Sequence, residues 1–122
     1  MQGLHLKAEI AIGADGPYSR VRDVFGFPRP KELLRGIGAQ ILDTHLDSSS
    51  VEIFVGTHIA PGFFAWIIPT NQKGTSAHVG LCIQKNSIQP PITYLQNLFT
   101  SSLASKYFQM QPSNIKQVVS SR

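Results

Sequence analysis

The stretch that most constrains this chain is residues 10–22, where an apolar segment enters a Gly-Ala-Asp-Gly turn and continues into a basic, helix-like segment. This order of residue types predicts a strand, a tight acidic turn and the first turn of a helix. The arrangement brings backbone N–H groups and one carboxylate to a single point. Such a point suits a bound dinucleotide.

The same turn has a simpler interpretation, as a capped connection that binds nothing. Asp15 and Ser19 are both residue types that cap helix N-termini. Pro17 has a φ fixed near the helical value and lacks an N–H group, so it fits the first turn of a helix. Gly13 and Gly16 would then only allow the backbone to form the turn, because glycine accepts positive φ and the close approach of another segment. Turn chemistry alone leaves both interpretations open.

The segment resembles the second flavin-contacting fingerprint of FAD-dependent hydroxylases and geranylgeranyl reductases. In those proteins the pattern reads Gly-Ala-Asp-Gly, two residues, Ser, one residue, Val-Arg. This chain fills every fixed place of the pattern, with Gly13, Ala14, Asp15, Gly16, Ser19, Val21 and Arg22. The resemblance implies FAD as cofactor, with NAD(P)H or another reductant as electron donor. It also implies that the residues contacting FAD are Gly13, Ala14, Asp15, Gly16, Ser19 and Arg22.

Two other flavin-binding patterns are missing from the sequence. A dinucleotide-binding fold normally opens with Gly-x-Gly-x-x-Gly, but Gly36-x-Gly38 lacks the third glycine and precedes a strand-like segment. The later Gly-Asp fingerprint of the family is also absent. Since the resemblance covers most of residues 8–105, we expect the chain to be the middle of a longer flavoprotein. The isolated fragment should be inactive and prone to self-association through exposed sheet or cavity surface.

Alternating apolar and polar residues predict one strand at residues 4–12 and four more between Arg35 and Gln84. The four are consecutive and joined by short turns, which favours an antiparallel sheet of about four strands. A helix is predicted at residues 18–25, ended by Gly26. A second helix opens at Pro90-Pro91. Its apolar face is predicted to carry Ile92, Leu95, Leu98, Phe99 and Leu103.

The predicted fold class is α+β. The resemblance implies that the chain is the central fragment of a hydroxylase-type FAD flavoprotein. It comprises the end of the dinucleotide-binding strand-turn-helix, the antiparallel sheet of about four strands and a helix. We assign residues 1–30 to the FAD-binding domain and residues 31–108 to a substrate-binding sheet with its helix. Residues 109–122 are expected to be a polar, partly disordered tail that leads toward a missing flavin-binding segment.

A second motif lies on the predicted strand after the Pro-Gly turn at residues 61–62. This strand has Phe64, Trp66 and Pro69 in the places of an aromatic-x-Trp-x-x-Pro motif, and a Val-Gly-Leu run with Gly80 follows on the next strand. The combination resembles the geranylgeranyl reductase branch. That branch often has an aromatic residue before the proline and lysine after it, where this chain has isoleucine and threonine.

Both faces of this strand are apolar, so we expect it to be covered on both sides. One face carries Phe64, Trp66 and Ile68, and the other carries Phe63, Ala65 and Ile67. One face must pack on the core, while the other is either plain core or the wall of an apolar cavity for an isoprenoid chain. In the cavity interpretation the substrate-binding residues are Phe64, Trp66, Pro69 and Gly80. Gly80, opposite on the neighbouring strand, would allow close approach of a backbone or ligand.

Composition limits the classes of function that this chain could have. With 42% hydrophobic and 15% charged residues, the 122-residue chain is ordinary for one globular domain. Its net charge of +4 is scattered and not interleaved with aromatics, so we expect no nucleic-acid partner. Cys82 lies in an apolar strand-like run and is expected to be a small buried hydrophobe rather than a nucleophile. The histidines lack paired ligand spacing, so we expect no metal.

Flavin chemistry on an apolar substrate is the function that these patterns favour. The resemblance implies an FAD-dependent oxidoreductase that reduces double bonds of isoprenoid (geranylgeranyl) lipids. No catalytic side chain is assigned, because the sequence offers no nucleophile–base pair or carboxylate dyad. Two alternatives stay open: an FAD-dependent monooxygenase, which shares the first motif, and a non-enzymatic sheet-based binding module.

The location predicted from the sequence is cytoplasmic. The sequence has no apolar run long enough to span a bilayer and no signal peptide. The lipid nature of the implied substrate suggests peripheral contact with a membrane, although no clearly amphipathic basic helix supports it.

Overall fold

The computed structural model describes residues 6–108 and the backbone of residues 115–121. The chain divides into two compact units, Met1–Leu33 and Leu34–Arg122. The first unit contains one short helix, α1 (Arg20–Val24). Gly26 follows it with a φ of +70°, a conformation that ends a helix and that glycine adopts without strain. The first predicted helix therefore forms, but it is shorter than the sequence pattern indicates.

The strand predicted at residues 4–12 is not present in its described part. Residues 6–12 belong to no helix or strand, and Leu6, Ile10 and Ile12 are 83%, 81% and 87% exposed. Alternation only shows that a segment suits a sheet. A strand also needs a neighbour for its backbone N–H and C=O groups, and the described part of this unit supplies none.

The second unit is built on a five-stranded antiparallel sheet with the order β2-β3-β4-β1-β5. Its strands are β1 (Leu34–Leu42), β2 (Glu52–Val55), β3 (Phe64–Pro69), β4 (Ser76–Gln84) and β5 (Ile115–Ser121). The four strands predicted between Arg35 and Gln84 are confirmed. The longest pairing joins β1 to β4, from Leu34 opposite Gln84 to Leu42 opposite Ser76.

The fifth strand lies in the segment expected to be a polar tail. β5 pairs with the free edge of β1, with Val119 opposite Gly38 and a register shift between Gln40 and Ile41. Its polar composition is compatible with an edge strand, because an edge strand is stabilised by backbone hydrogen bonds to one neighbour. Within the segment expected to be a partly disordered tail, residues 115–121 therefore form a strand.

One face of the sheet is covered by helix α2 (Pro91–Thr100), which contacts β1 and β4. The helix buries Leu95, Leu98 and Phe99 against alternate residues of the strands. Each fully buried side chain of this size contributes about 1.5–3 kcal/mol relative to its exposed state. From the sheet, the core comprises Ile37, Ala39, Ile41, Ala65, Ile67, Ala77, Val79, Leu81 and Ile83.

Helix α2 ends before Leu103, which was predicted to lie on its apolar face. The hydroxyl of Ser101 donates to the Leu98 carbonyl at 2.8 Å and accepts from the Ala104 amide at 3.3 Å, closing the helix at Thr100. Leu103 is consequently 54% exposed. Phe108 packs on the helix instead, edge-to-face with Phe99 at a centroid distance of 5.2 Å.

The opposite side of the sheet, here called the open face, carries Phe64, Trp66 and Ile68 of β3. Phe64 and Trp66 are half-buried and Ile68 is 41% exposed, whereas Ala65 and Ile67 on the core side are fully buried. The expectation that β3 is covered on both sides is therefore wrong within the second unit. Its described residues supply one helical layer, and that layer packs on the other face.

No helix in the described residues is long and apolar enough to cross a membrane.

Candidate functional site

The Gly-Ala-Asp-Gly turn of the first unit is organised around the Asp15 carboxylate. Its Oδ2 atom accepts hydrogen bonds from the backbone amides of Arg20 at 2.8 Å and Val21 at 3.2 Å. Ser19 is the residue before α1, and its hydroxyl accepts from the Arg22 amide at 2.9 Å. Two side chains therefore satisfy the amides at the start of α1, as expected for capping residues.

These hydrogen bonds determine the ionisation of Asp15. The Ser19 hydroxyl, and then the Val21 amide, lower the pKa of the Asp15 carboxyl below its ordinary value of 3.8. Hydrogen bonds to the charged form of a carboxyl favour that form. Asp15 is consequently a fixed negative charge at neutral pH.

The two glycines of the turn have different structural roles. A Cβ at Gly13 would lie 2.9 Å from Cγ1 of Val21, so this glycine permits close packing of the turn on α1. Gly16 has a φ of +80°, and no described atom lies within 4 Å of a Cβ placed there. The backbone at Gly16 is therefore open to a ligand, while the backbone at Gly13 is occupied by the protein.

Arg22 closes the turn from the helix side. Its Nη1 atom donates to the Pro17 carbonyl at 2.7 Å, and its Nη2 atom forms an ion pair with Asp23 at 3.0 Å. Its Nε atom also donates to Asp23 at 3.1 Å. A guanidinium has five N–H donors, so these three hydrogen bonds leave two of them without a partner among the described residues. Ala14 is exposed within the same turn. All six residues predicted to contact the flavin thus belong to one local cluster.

A cleft of about 460 Å³ opens beside this turn, with Gly13, Ser19, Val21 and Arg22 in its lining. This volume is typical of small-molecule sites. The open backbone at Gly16 and the remaining Arg22 donors are the groups that this turn offers to a ligand. The amides of Arg20 and Val21 are committed to Asp15, so a ligand here would meet a carboxylate rather than free helix amides. This differs from the simple expectation that the turn offers both.

The second predicted site lies on the open face. Trp66 is opposite Gly80 in the β3–β4 register, and its indole ring covers that glycine. A Cβ at Gly80 would lie 2.6 Å from Cζ2 of Trp66 and 2.9 Å from the Ile37 carbonyl oxygen. The sequence predicts the close approach of a backbone or ligand at Gly80. The group that approaches is the indole of the same chain.

An aromatic cluster extends from the indole along the Pro-Gly turn. The rings of Phe63 and Phe64 stack at 4.4 Å, and Phe64 meets Trp66 edge-to-face at 6.0 Å. The turn itself is attached to the end of β4, since the Gln84 amide donates to the Pro61 carbonyl at 2.9 Å. These contacts hold two aromatic side chains in fixed positions beside the open face.

Pro69, the remaining residue predicted to bind substrate, is not part of this face. Alternation along β3 places it on the side of Ala65 and Ile67, opposite Ala77 at the end of the strand. The structure therefore brings together Phe64, Trp66 and Gly80. The proline is at a position where a strand tolerates it, close to its end.

Polar groups flank the apolar part of the open face. Exposed His78 lies opposite Ile68 on one side and opposite Gln40 on the other. On the same strand, Cys82 is half-buried, and burial raises the pKa of its thiol. A thiol with a raised pKa stays protonated at neutral pH and is a poor nucleophile. No group of three or more potential metal ligands occurs among the described residues.

Comparison with known proteins identifies the domain to which the sheet belongs. A family model, the geranylgeranyl reductase catalytic domain, matches residues 35–119. Digeranylgeranylglycerophospholipid reductase of Methanocaldococcus jannaschii is 29% identical over 103 residues, which are 81% of this chain and 25% of that protein. The protein of the same name from Methanospirillum hungatei is 33% identical over 96 residues. The match covers 74% of this chain and 23% of the Methanospirillum protein.

The fold has a counterpart among solved structures. A geranylgeranyl bacteriochlorophyll reductase-like protein of Thermoplasma acidophilum superposes with a TM-score of 0.60 at 19% identity. The superposition covers 74% of this chain and 21% of that protein. This chain spans about a quarter of the length of the curated relatives that it matches. Because the catalytic-domain model matches well over half of the residues, the chain belongs to the geranylgeranyl reductase family.

Proposed function

We propose that this chain is the central part of an FAD-dependent oxidoreductase that reduces double bonds of isoprenoid lipids of the geranylgeranyl class. The observation that carries the proposal is the match of residues 35–119 to the geranylgeranyl reductase catalytic domain. The same residues form a sheet with one apolar face that α2 leaves open. An apolar surface beside fixed aromatic side chains suits a hydrocarbon substrate.

The proposed cofactor residues are Gly13, Ala14, Asp15, Gly16, Ser19 and Arg22. FAD supplies the redox chemistry when bound, with NAD(P)H or another reductant as the electron donor. The chain would contribute an open backbone at Gly16, spare guanidinium donors from Arg22 and a carboxylate held in position by α1. Asp15 would accept hydrogen bonds from hydroxyl groups of the dinucleotide, because its low pKa keeps it ionised.

The proposed substrate residues are Phe64, Trp66 and Gly80. Their surface contains no charge, so it favours the hydrocarbon portion of a lipid over its polar end. An isoprenoid lipid resides in membranes, so the proposal also implies contact with a membrane surface.

The first test is flavin binding by the full-length open reading frame that contains this chain. We expect the purified protein to show the visible absorption bands of FAD, and Asp15→Ala to weaken FAD binding about tenfold, which is about 1.4 kcal/mol. Asp47→Ala is the matched control, because Asp47 is another exposed carboxylate whose pKa is lowered by serine hydroxyls. A folded full-length protein that takes up no FAD would instead support a binding module.

The second test separates a reductase from a monooxygenase. The flavin-loaded protein is supplied with a reductant and a geranylgeranyl lipid, and the products are analysed by mass spectrometry. Reduction adds two hydrogen atoms at each double bond, whereas monooxygenation adds one oxygen atom. Oxygen addition without saturation would contradict the proposed reaction and favour the hydroxylase alternative.

A further inference from the structure

The acidic residues of this chain are unevenly distributed, although its cationic residues are scattered. All seven acidic residues lie in residues 9–52. Residues 53–122 contain no acidic residue and five cationic ones, which are Lys73, Lys85, Lys106, Lys116 and Arg122. A charge asymmetry between two parts of a chain suggests contact with an anionic partner, such as a nucleic acid or a membrane.

One end of the sheet, here called the loop end, is formed by residues 34–35, 56–63 and 85–90. β1 begins there and β4 ends there, with Leu34 opposite Gln84. β2 continues into β3 at the same end, where Val55 lies opposite Phe64. None of the three segments contains an acidic residue, whereas two cations, Arg35 and Lys85, lie within them.

The opposite end of the sheet has a balanced charge. Asp43 and Asp47 follow the last residue of β1 there. The turn that contains Lys73 lies at the same end, because the Leu46 amide donates to the Gly74 carbonyl at 3.1 Å. The positive charge without a nearby carboxylate is therefore a property of the loop end in the second unit.

Ile88 is displayed outward at the loop end, with 95% of its surface exposed. Nη2 of Arg35 donates to the Ser87 carbonyl at 3.0 Å and to the Gln89 carbonyl at 3.1 Å. These two residues flank Ile88. The Ser87 hydroxyl also donates to the Gln84 carbonyl at 2.9 Å. The backbone is therefore fixed on both sides of Ile88, in a position that directs an aliphatic side chain away from the core.

Two further partly exposed apolar side chains belong to this end. Phe63 is 43% exposed and follows the Pro-Gly turn, which the Gln84 amide holds through the Pro61 carbonyl. Ile92 is 40% exposed and lies in the first turn of α2, a helix without any charged residue. Apolar side chains that project from a cationic surface suit the boundary of an anionic bilayer, where lipid phosphates lie next to acyl chains. A nucleic acid would match the cations but offers no hydrocarbon layer to Ile88.

We propose that the loop end is the surface by which the protein docks on an anionic lipid bilayer. Ile88 enters the boundary of the acyl chains and Lys85 lies among the lipid phosphates, while Arg35 holds the loop and adds positive charge. The aromatic cluster of the open face begins at Phe63, so docking places the proposed substrate surface beside the membrane. This inference rests on the proposed function for its lipid substrate, and it adds the surface through which the enzyme reaches that lipid.

Co-sedimentation of the full-length protein with lipid vesicles tests the surface. One set of vesicles contains equal parts of phosphatidylglycerol and phosphatidylcholine, and the other contains phosphatidylcholine alone. We expect the protein to bind the anionic vesicles at least about tenfold more tightly, and less tightly as salt is added. Ile88→Ser should weaken this binding about tenfold, because it removes the apolar side chain that leaves water. Lys85→Gln should weaken it about fivefold, through the loss of one cation at the anionic surface.

Leu103→Ser and Lys106→Gln are the matched controls, because they make the same chemical changes at the other end of the sheet. Both residues are exposed, and the neighbouring Tyr107 carbonyl accepts from the His45 amide beyond the end of β1. These variants should bind the anionic vesicles as the unsubstituted protein does. Circular dichroism checks the folding of all four variants.

Reduction of a geranylgeranyl lipid dispersed in detergent is measured in parallel, because it requires no bilayer. If the reduction occurs but the protein binds neither kind of vesicle, or the two loop-end substitutions leave vesicle binding unchanged, the docking surface is overturned while the proposed function stands. Binding of duplex DNA in place of vesicles, weakened by Lys85→Gln, would also overturn it. If vesicle binding depends on Ile88 and Lys85 but no isoprenoid lipid is reduced, the docking surface stands and the proposed substrate is overturned.

Discussion

The contact between Trp66 and Gly80 leaves no room for even one methyl group. Gly80→Ala would force the indole aside, and the Ile37 carbonyl prevents the new methyl group from moving far. We expect a loss of about 1–3 kcal/mol in the free energy of unfolding, as for overpacked cores. The Trp66 emission should also shift toward longer wavelength. Urea denaturation measures the first effect and fluorescence the second.

Gly38→Ala is the matched control for that substitution. Among the described atoms, the same added methyl group meets the Val79 carbonyl at 3.7 Å and no other, so stability should stay constant or rise by up to about 1 kcal/mol. Equal stability of the Gly80→Ala variant and the unsubstituted chain would contradict the packing described for the indole.

At Asp15 the residue-scale prediction concerns pH. The lowered pKa means that its contribution to stability is fully present above 3.8 and is lost as the pH falls through the folded value. Ser19→Ala removes the largest cause of this shift, so the pKa of Asp15 should rise toward 3.8. NMR titration of the carboxyl groups measures it, and the pKa of Asp47, which depends on Ser49, should not change. An unchanged Asp15 pKa would contradict the role of the Ser19 hydroxyl.

At the scale of elements, the prediction concerns the end of α2 and of its apolar face. Leu98 is buried between the helix and the sheet, whereas Leu103 lies beyond the helix and is 54% exposed. Leu98→Ala should cost about 2–5 kcal/mol, because it removes a buried side chain and leaves a cavity. Leu103→Ala should cost less than about 1 kcal/mol. Thermal or urea unfolding compares the two, and similar losses would mean that the helix continues past Ser101.

A strand was predictable from the sequence where alternating apolar residues coincide with a neighbouring strand to pair with. β1 to β4 alternate and pair with one another, so period two identified them. Residues 6–12 alternate equally well but have no neighbouring strand in the described part of their unit. Periodicity carries no information about neighbouring strands. β5 is the opposite case. Its polar sequence has no alternating pattern, and its strand conformation depends on pairing with β1. The Val118-Val119 pair was the local signal for a strand.

Some features of the candidate site were likewise predictable from the sequence and others were not. The Gly-Ala-Asp-Gly motif and the opposed Trp66 and Gly80 could be found from residue types and spacing. The position of Gly38 beside Gly80 could not, because it depends on the register between β1 and β4. The hydrogen bonds from the α1 amides to Asp15 could not be predicted from the sequence either. Whether these amides bind a capping side chain or a ligand depends on the orientation of the Asp15 side chain.

For the whole molecule, the division into two units predicts how the chain responds to protease. Among the residues whose side chains are described, the core cluster lies between Ile37 and Phe108, and residues 23–32 are exposed. Limited trypsin digestion should therefore cut after Lys31 and release a stable fragment that begins at Glu32. Mass spectrometry identifies the cut, and the fragment should unfold at the temperature of the intact chain. A fragment that unfolds at once would show that residues 1–31 are needed for the sheet.

The strand order also has a consequence for synthesis. β1 is synthesised before both of its neighbours in the sheet, β4 and β5. Until Ser76–Gln84 emerges, the alternating apolar residues of β1 have no partner strand, and its pairing closes long loops. Nascent chains with such unpaired strands are prone to aggregate. β1, the strand that lies between β4 and β5 in the finished sheet, is thus exposed to aggregation while the chain is being made.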